Sequence, residues 1–246
     1  MKYVFVLAGC CLFVPIASIA CAQSAPAKKN TATKKTNPAF AVIEEDPSLP
    51  RVLILGDSIS IGYTLPLRKQ LEGKANVVRP ATNCAYSRNG VKHIGKWLGD
   101  RPWDVIHFNF GLHDLKHVVE GAKIVPLGTE GCHRLEAEAG YEANLRKLVA
   151  KLKNSGAELI WCSTSPVPPG ARGRIPGDEK RYNQIAATVM QENGIAINDL
   201  HKMATGRLNE IQKKADVHFT PAGSQELARM LAPLILEKLS AIAARQ

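Results

Sequence analysis

The stretch Arg51-Val52-Leu53-Ile54-Leu55-Gly56-Asp57-Ser58-Ile59-Ser60 decides the fold. Its first five residues carry an apolar run with no polar alternation, and Gly-Asp-Ser then breaks it, the pattern of a short strand buried on both faces. Such strands belong to parallel sheets covered by helices on each side, because a half-exposed antiparallel strand alternates instead. Four more short apolar runs follow, at 76–78, 103–110, 158–162 and 195–197. Between them lie helical patterns. Tyr141, Leu145, Leu148, Val149 and Leu152 share one face, and Asn154-Ser155-Gly156 ends that segment. Leu227, Leu231, Leu234 and Ile235 repeat the pattern in a last helix, capped by Thr220, opened by Pro221 and expected to kink at Pro233. This alternation predicts one α/β domain, a three-layer α/β/α sandwich around a five-stranded parallel sheet.

Outward from this core, the 246-residue chain is 45% hydrophobic and 22% charged, with 32 Lys and Arg against 22 Asp and Glu. That composition excludes collagen-like, disordered and multi-span membrane classes for the main body. The net charge of +10 allows acidic partners without naming one. Residues 1–22 read as a secretory signal: Lys2, an apolar run to Ala20, and Ala20-Cys21-Ala22 before polar Gln23-Ser24. The expected location is therefore the periplasm or the exterior, with no stable membrane span after cleavage. Ser18-Ile19-Ala20-Cys21 also resembles a bacterial lipobox, which would anchor the chain through Cys21. Residues 23–48, with Lys28, Lys29, Lys34 and Lys35 among Ala, Thr, Asn and Pro, read as a disordered tether, leaving 49–246 as the folded domain. No aromatics are interleaved with the lysines of the tether to stack bases, so nucleic acid is not an expected partner. Of the folded cysteines, Cys162 lies in a buried run, while Cys84 and Cys132 lie in loops and form the candidate disulfide, with two free thiols as the alternative. No CxxC or HExxH spacing occurs, and no metal or cofactor is expected.

In open parallel sheets, sites form at the carboxyl ends of the strands. Ser58 stands there after the first strand, either as a helix cap or as a nucleophile, and a nucleophilic serine needs a base. His218, in Asp216-Val217-His218-Phe219-Thr220-Pro221, lies on a loop before the last helix. In an extended loop, Asp216 points to the same side and can orient the Nδ1–H, leaving Nε2 for the serine proton. Gly111-Leu112-His113-Asp114 follows the central strand, where a neutral imidazole can donate to an oxyanion or a His–Asp pair can brace the loop.

Together these motifs resemble the SGNH hydrolases, also called GDSL esterases, over residues 50–242. The resemblance implies a flavodoxin-like order of strands, Ser58 as nucleophile, His218 as general base, and supporting places for Asp57, Gly111 and Asp114. Three departures stand out. His113 takes the place of the family's usual asparagine, as in some polysaccharide-modifying members. Ala85, within Asn83-Cys84-Ala85-Tyr86-Ser87, takes the place of a glycine whose N–H lines the oxyanion hole. The usual acid position, three before the histidine, is Ala215, so Asp216 is the candidate acid and Asp199 the fallback. The oxyanion hole so implied comprises the N–H groups of Ser58 and Ala85 and the side chain of His113.

The function expected is an exported serine esterase acting through an acyl-serine on short acyl groups, acetyl first, of a carbohydrate. Trp97, Trp103, Tyr86 and Tyr63 are the candidate sugar-facing aromatics. A lysophospholipase or lipase of the same fold, an acyltransferase, and a non-catalytic carbohydrate-binding or scaffold protein are the alternatives.

Overall fold

The computed structural model describes residues 1–5 and 37–245. The chain divides into two units, Met1–Lys35 and Thr36–Gln246. Most of the expected signal, the lipobox cysteine Cys21 and the first part of the expected tether lie outside the described residues. No helix among the described residues is long and apolar enough to cross a membrane.

The larger unit runs β1 (Arg51–Leu55), α1 (Ser58–Gln70), β2 (Asn76–Val78), α2 (Ser87–Leu98), β3 (Val105–Phe108), β4 (His117–Val119), β5 (Lys123–Ile124), β6 (His133–Arg134), α3 (Glu138–Lys153), β7 (Glu158–Cys162), α4 (Asp178–Glu192), β8 (Ala196–Asn198), α5 (Leu200–Thr205), α6 (Leu208–Ile211) and α7 (Pro221–Ala243). Strands β2-β1-β3-β7-β8 form one sheet in that order, parallel throughout. Helices α1 and α7 pack together on one side with α5 and α6 against α7, and α2, α3 and α4 pack in a row as the other helical layer. The five-stranded α/β/α architecture expected from the apolar runs is the one found.

The central strands are dry. All four residues of β3 and the last four of β1 are buried, as continuous apolar runs demand when helices cover both faces. β3 is shorter than the 103–110 run. Trp103 precedes it and donates its indole N–H to Leu98 O at 2.8 Å. Asn109 keeps one last ladder bond, from its N–H to Leu55 O at 2.9 Å, then turns its carboxamide to Cys162 O at 2.7 Å. The chain thus leaves the sheet at Asn109, which sets the following Gly111-Leu112-His113 loop above the strand ends. Pro233 lies inside α7, and Thr220 caps that helix by accepting from the Gly223 N–H at 2.9 Å.

Two features were not expected. β5-β4-β6 form a small antiparallel sheet inserted between β3 and α3. Residues 37–48, read from composition as the end of the tether, run along the domain. Ala39 is buried in a short 3-10 turn against α1, Asn76 and Asp46 exchange hydrogen bonds, and Glu45 pairs with Arg51 and Arg101. Cys84, Cys132 and Cys162 are all free thiols, so the Cys84–Cys132 bridge does not form.

Candidate active site

Ser58 opens α1, but Asp57 caps the helix: its carboxylate accepts from the Ile59 N–H at 2.9 Å. The Ser58 hydroxyl is thereby left for chemistry, and its own N–H belongs to a first turn that has no intrahelical acceptor. The end of β1 is tightly packed. A Cβ on Gly56 would lie 3.0 Å from Ser60 Oγ, and the Gly56 carbonyl accepts from the Cys84 N–H at 3.2 Å.

His218 comes from a narrow hairpin that joins α6 to α7. Gln212 and Phe219 form an antiparallel bridge, and the Lys213 N–H donates to His218 O at 2.9 Å. The tip turns through Ala215, which adopts a left-handed φ of 54°. This geometry brings His218 Nε2 to 2.9 Å from Ser58 Oγ and His218 Nδ1 to 2.7 Å from Asp216 Oδ1. The same Asp216 oxygen accepts the His218 backbone N–H at 3.0 Å. Burial alone would raise the Asp216 carboxyl, but these bonds and the nearby charges of His218 and Lys213 hold it below its ordinary value. Ser58, His218 and Asp216 therefore form one hydrogen-bonded chain. Asp199 is engaged elsewhere: it caps α5 and accepts from Ser163 Oγ at 2.9 Å.

The loop after β3 contributes His113. Gly111, at φ 152°, passes so close to Thr164 that a Cβ there would lie 2.1 Å from its Oγ1. Tyr141 Oη clamps the preceding carbonyl, Phe110 O, at 2.7 Å. Burial drives the His113 pKa down to about 4, against the pull of Asp57, with Lys116, Arg174 and His218 also opposing protonation. The imidazole is thus neutral at neutral pH, the form that can donate one N–H and keep one lone pair. Asp114 does not pair with His113. It is fully buried and accepts the Ser87 N–H at 2.9 Å and the Ser87 hydroxyl at 2.5 Å, tying this loop to the start of α2.

Ala85 adopts the left-handed φ of 59° that a glycine would take easily. Its N–H, however, donates to Asn83 Oδ1 at 2.9 Å. The expectation that it lines the oxyanion hole is corrected to that extent: an Asx turn already occupies the donor. Of the four aromatic candidates, Tyr63 is buried in the core and Trp103 precedes β3, at the opposite end of the strands from Ser58. Trp97 joins Trp103, Lys96 and Arg79 in a separate cavity of about 290 Å³. Only Tyr86, directly before α2, stands near the Ser87–Asp114 junction.

Two cations by this site were not singled out from sequence. Arg174 is 8% exposed and donates its Nε–H to Leu112 O at 2.9 Å, and Lys116 is half-buried. Packing of Gly173 against β4 and Val125, residues distant in sequence, turns Arg174 inward.

No curated protein matches the sequence closely enough to count as a relative. Among solved structures, the acetyl xylan esterase AlAXEase superposes with a TM-score of 0.62 at 14% identity, covering 75% of this chain and 99% of its own. The lipase/acylhydrolase from Enterococcus faecalis gives 0.63 at 18% identity, covering 77% and 96%. The acetylxylan esterase Axe2 from Geobacillus stearothermophilus gives 0.57 at 16% identity, covering 77% and 94%. At these identities the likeness is one of fold. The model of the GDSL-like lipase/acylhydrolase family matches residues 54–226, most of the chain, and the protein belongs to that family of serine hydrolases acting on carboxylic esters.

Proposed function

We propose that this protein is an exported esterase that removes short acyl groups, acetyl first, from a carbohydrate. The observation that carries the reading is the Asp216–His218–Ser58 chain of 2.7 and 2.9 Å contacts at the carboxyl end of β1. In this mechanism His218 Nε2 takes the Ser58 proton as Oγ attacks the acyl carbonyl, and Asp216 fixes the tautomer and stabilises the imidazolium. The oxyanion is held by the Ser58 N–H and by the neutral His113 imidazole. Ala85 adds its N–H only where the Asn83 carboxamide rotates away. His218 then returns the proton to the leaving alcohol. Water, activated by the same histidine, releases the acyl group and regenerates Ser58.

A small cavity lies beneath the start of α1, lined by Ile59, Ser60, Asn109, Leu112 and Ser165 among others. It measures about 10 Å³, room for about one water, and none of Ser58, His218 or His113 lines it, so it does not bear on acyl size. Two structural neighbours are acetyl xylan esterases by name, which is consistent with an acetylated sugar. The apolar run before residue 22 supports export.

The test is hydrolysis of 4-nitrophenyl acetate, butyrate and octanoate by residues 23–246, beside Ser58→Ala. Acetate-favouring activity that vanishes in Ser58→Ala is the expected result. Preference for octanoate would turn the reading toward a lipase, and activity unchanged in the variant would remove Ser58 from the chemistry.

A further inference from the structure

Arg174 is a buried charge with no carboxylate in contact. Its guanidinium bonds only backbone carbonyls, Leu112 O at 2.9 Å and Arg172 O at 3.4 Å. Among the described residues no carboxylate lies within 4.0 Å of it or of Lys116, although eleven arginine–carboxylate pairs occur elsewhere. An unpaired buried cation is costly, and a second cation beside it raises the cost. The other deeply buried arginine, Arg79, differs: it has four oxygen acceptors besides Pro80 O, among them Ser60 Oγ and Thr64 Oγ1.

The fold holds Arg174 in place. Gly173 O accepts the His117 N–H from β4 at 2.6 Å, and Gly173 sits so close to β5 that a Cβ would lie 2.5 Å from Val125 O. Lys116 is pinned from the other side, its carbonyl accepting the Leu135 N–H at 2.9 Å. The small β4–β6 sheet thus buttresses both cations. Their surroundings are catalytic. Asp57 and Asp216 favour the charge on Arg174, and both cations act on His113. Guanidinium has five N–H donors, and Arg174 uses two of them, which leaves a fork suited to bidentate capture of an anion.

We propose that Arg174 and Lys116 bind an anionic group of the substrate, a carboxylate or a sulfate on the sugar that carries the ester, so that the enzyme acts on acidic saccharides. This rests on the acetyl-esterase reading, since an ester-linked acetyl group has no ionisable group and the charge must come from the sugar. Arg174 sets specificity here, with the bond-making steps left to Ser58 and His218.

The test uses O-acetylated methyl glucuronoside, its neutral uronamide with the same acetyl position, and the corresponding O-acetylated glucose 6-sulfate. The wild-type chain should favour an anionic probe over the neutral one by about 10–100-fold in kcat/KM, the strength of a hydrogen bond to a charged group. That ratio should fall toward one in Arg174→Gln, fall partly in Lys116→Gln, and survive in part in Arg174→Lys. The carboxylate and sulfate arms identify which anion fits. A wild-type ratio near one, or an Arg174→Gln loss equal on charged and neutral probes, overturns the proposal and leaves Arg174 a brace for the His113 loop. Calorimetric binding of the same probes to Ser58→Ala needs no turnover. If the wild type hydrolyses none of them, the esterase reading fails, and the binding ratio alone decides the anion site.

Discussion

Replacing Asp114 by Asn isolates the cost of one buried charge. Burial raises the Asp114 pKa to about 7, with Glu136 adding to it, although two bonds from Ser87 pull the other way. Its Oδ2 has no partner among the described residues. In the unfolded chain the same carboxyl titrates at about 3.9. A folded pKa above the unfolded one means that the folded state holds the proton longer. The stability it contributes is complete below the unfolded value and is lost as pH rises through the folded one. From pH 5 to pH 8.5 the wild type should lose about 3 kcal/mol through this group, two pKa units at 1.36 kcal/mol each. Asn has the same shape, and its Oδ1 can accept both Ser87 bonds, but it does not ionise. Urea denaturation of wild type and Asp114→Asn at both pH values reads the difference directly. The variant should gain on the wild type by about 3 kcal/mol at the higher pH relative to the lower. An equal difference at the two pH values would refute the reasoning, and would mean that Asp114 is ionised in the fold throughout.

Other expected outcomes follow from named contacts. Gly111→Ala should destabilise by about 3 kcal/mol, since its Cβ collides with Thr164 Oγ1; a melting temperature within a few degrees of wild type would show that the loop can shift. His107 is fully buried in β3 with neither ring nitrogen partnered among the described residues, and burial lowers its pKa to about 4. His107→Leu should stabilise by about 1–3 kcal/mol at pH 7 and remove a loss of stability that sets in as pH falls from the unfolded value toward the folded one. Denaturation curves at pH 5 and 7 check both effects. Asp216→Asn should lower kcat by about 10⁴-fold with KM little changed, because the imidazole tautomer is then wrong; a drop under tenfold would move the acid role elsewhere. His113→Ala should lower kcat by about 10²–10³-fold without abolishing turnover, and unchanged kcat would take His113 out of the oxyanion hole.

The central sheet was legible in residues 51–55 because a strand buried on both faces has one signature, and its carboxyl end fixes where chemistry can sit. Ser58 could then be found as a short motif at a strand end, and His218 and Asp216 as one on the loop before the last helix, although nothing local links residue 58 to residue 218. The β4–β6 sheet was not legible. Its strands are two or three residues long and partly polar, too short for any period to register. Arg174 was not legible either, since its burial comes from β4 and β5 and not from its neighbours in sequence. Ala85 was matched by position, but its N–H is taken up by the Asn83 side chain, which no motif encodes. The tryptophans misled for separate reasons: Trp103 opens its run at the end away from the site, and Trp97 lies in the last turn of α2.

The Ser58 hydroxyl and the His218 imidazole meet across 160 positions of chain, through the packing of α1 against α7. Closing so long a loop is entropically slow and occurs only once the last helix can dock. Turnover therefore reports completion. A chain emerging amino end first displays its serine long before it has a base, and it stays inert until the final helix has been made and has folded back.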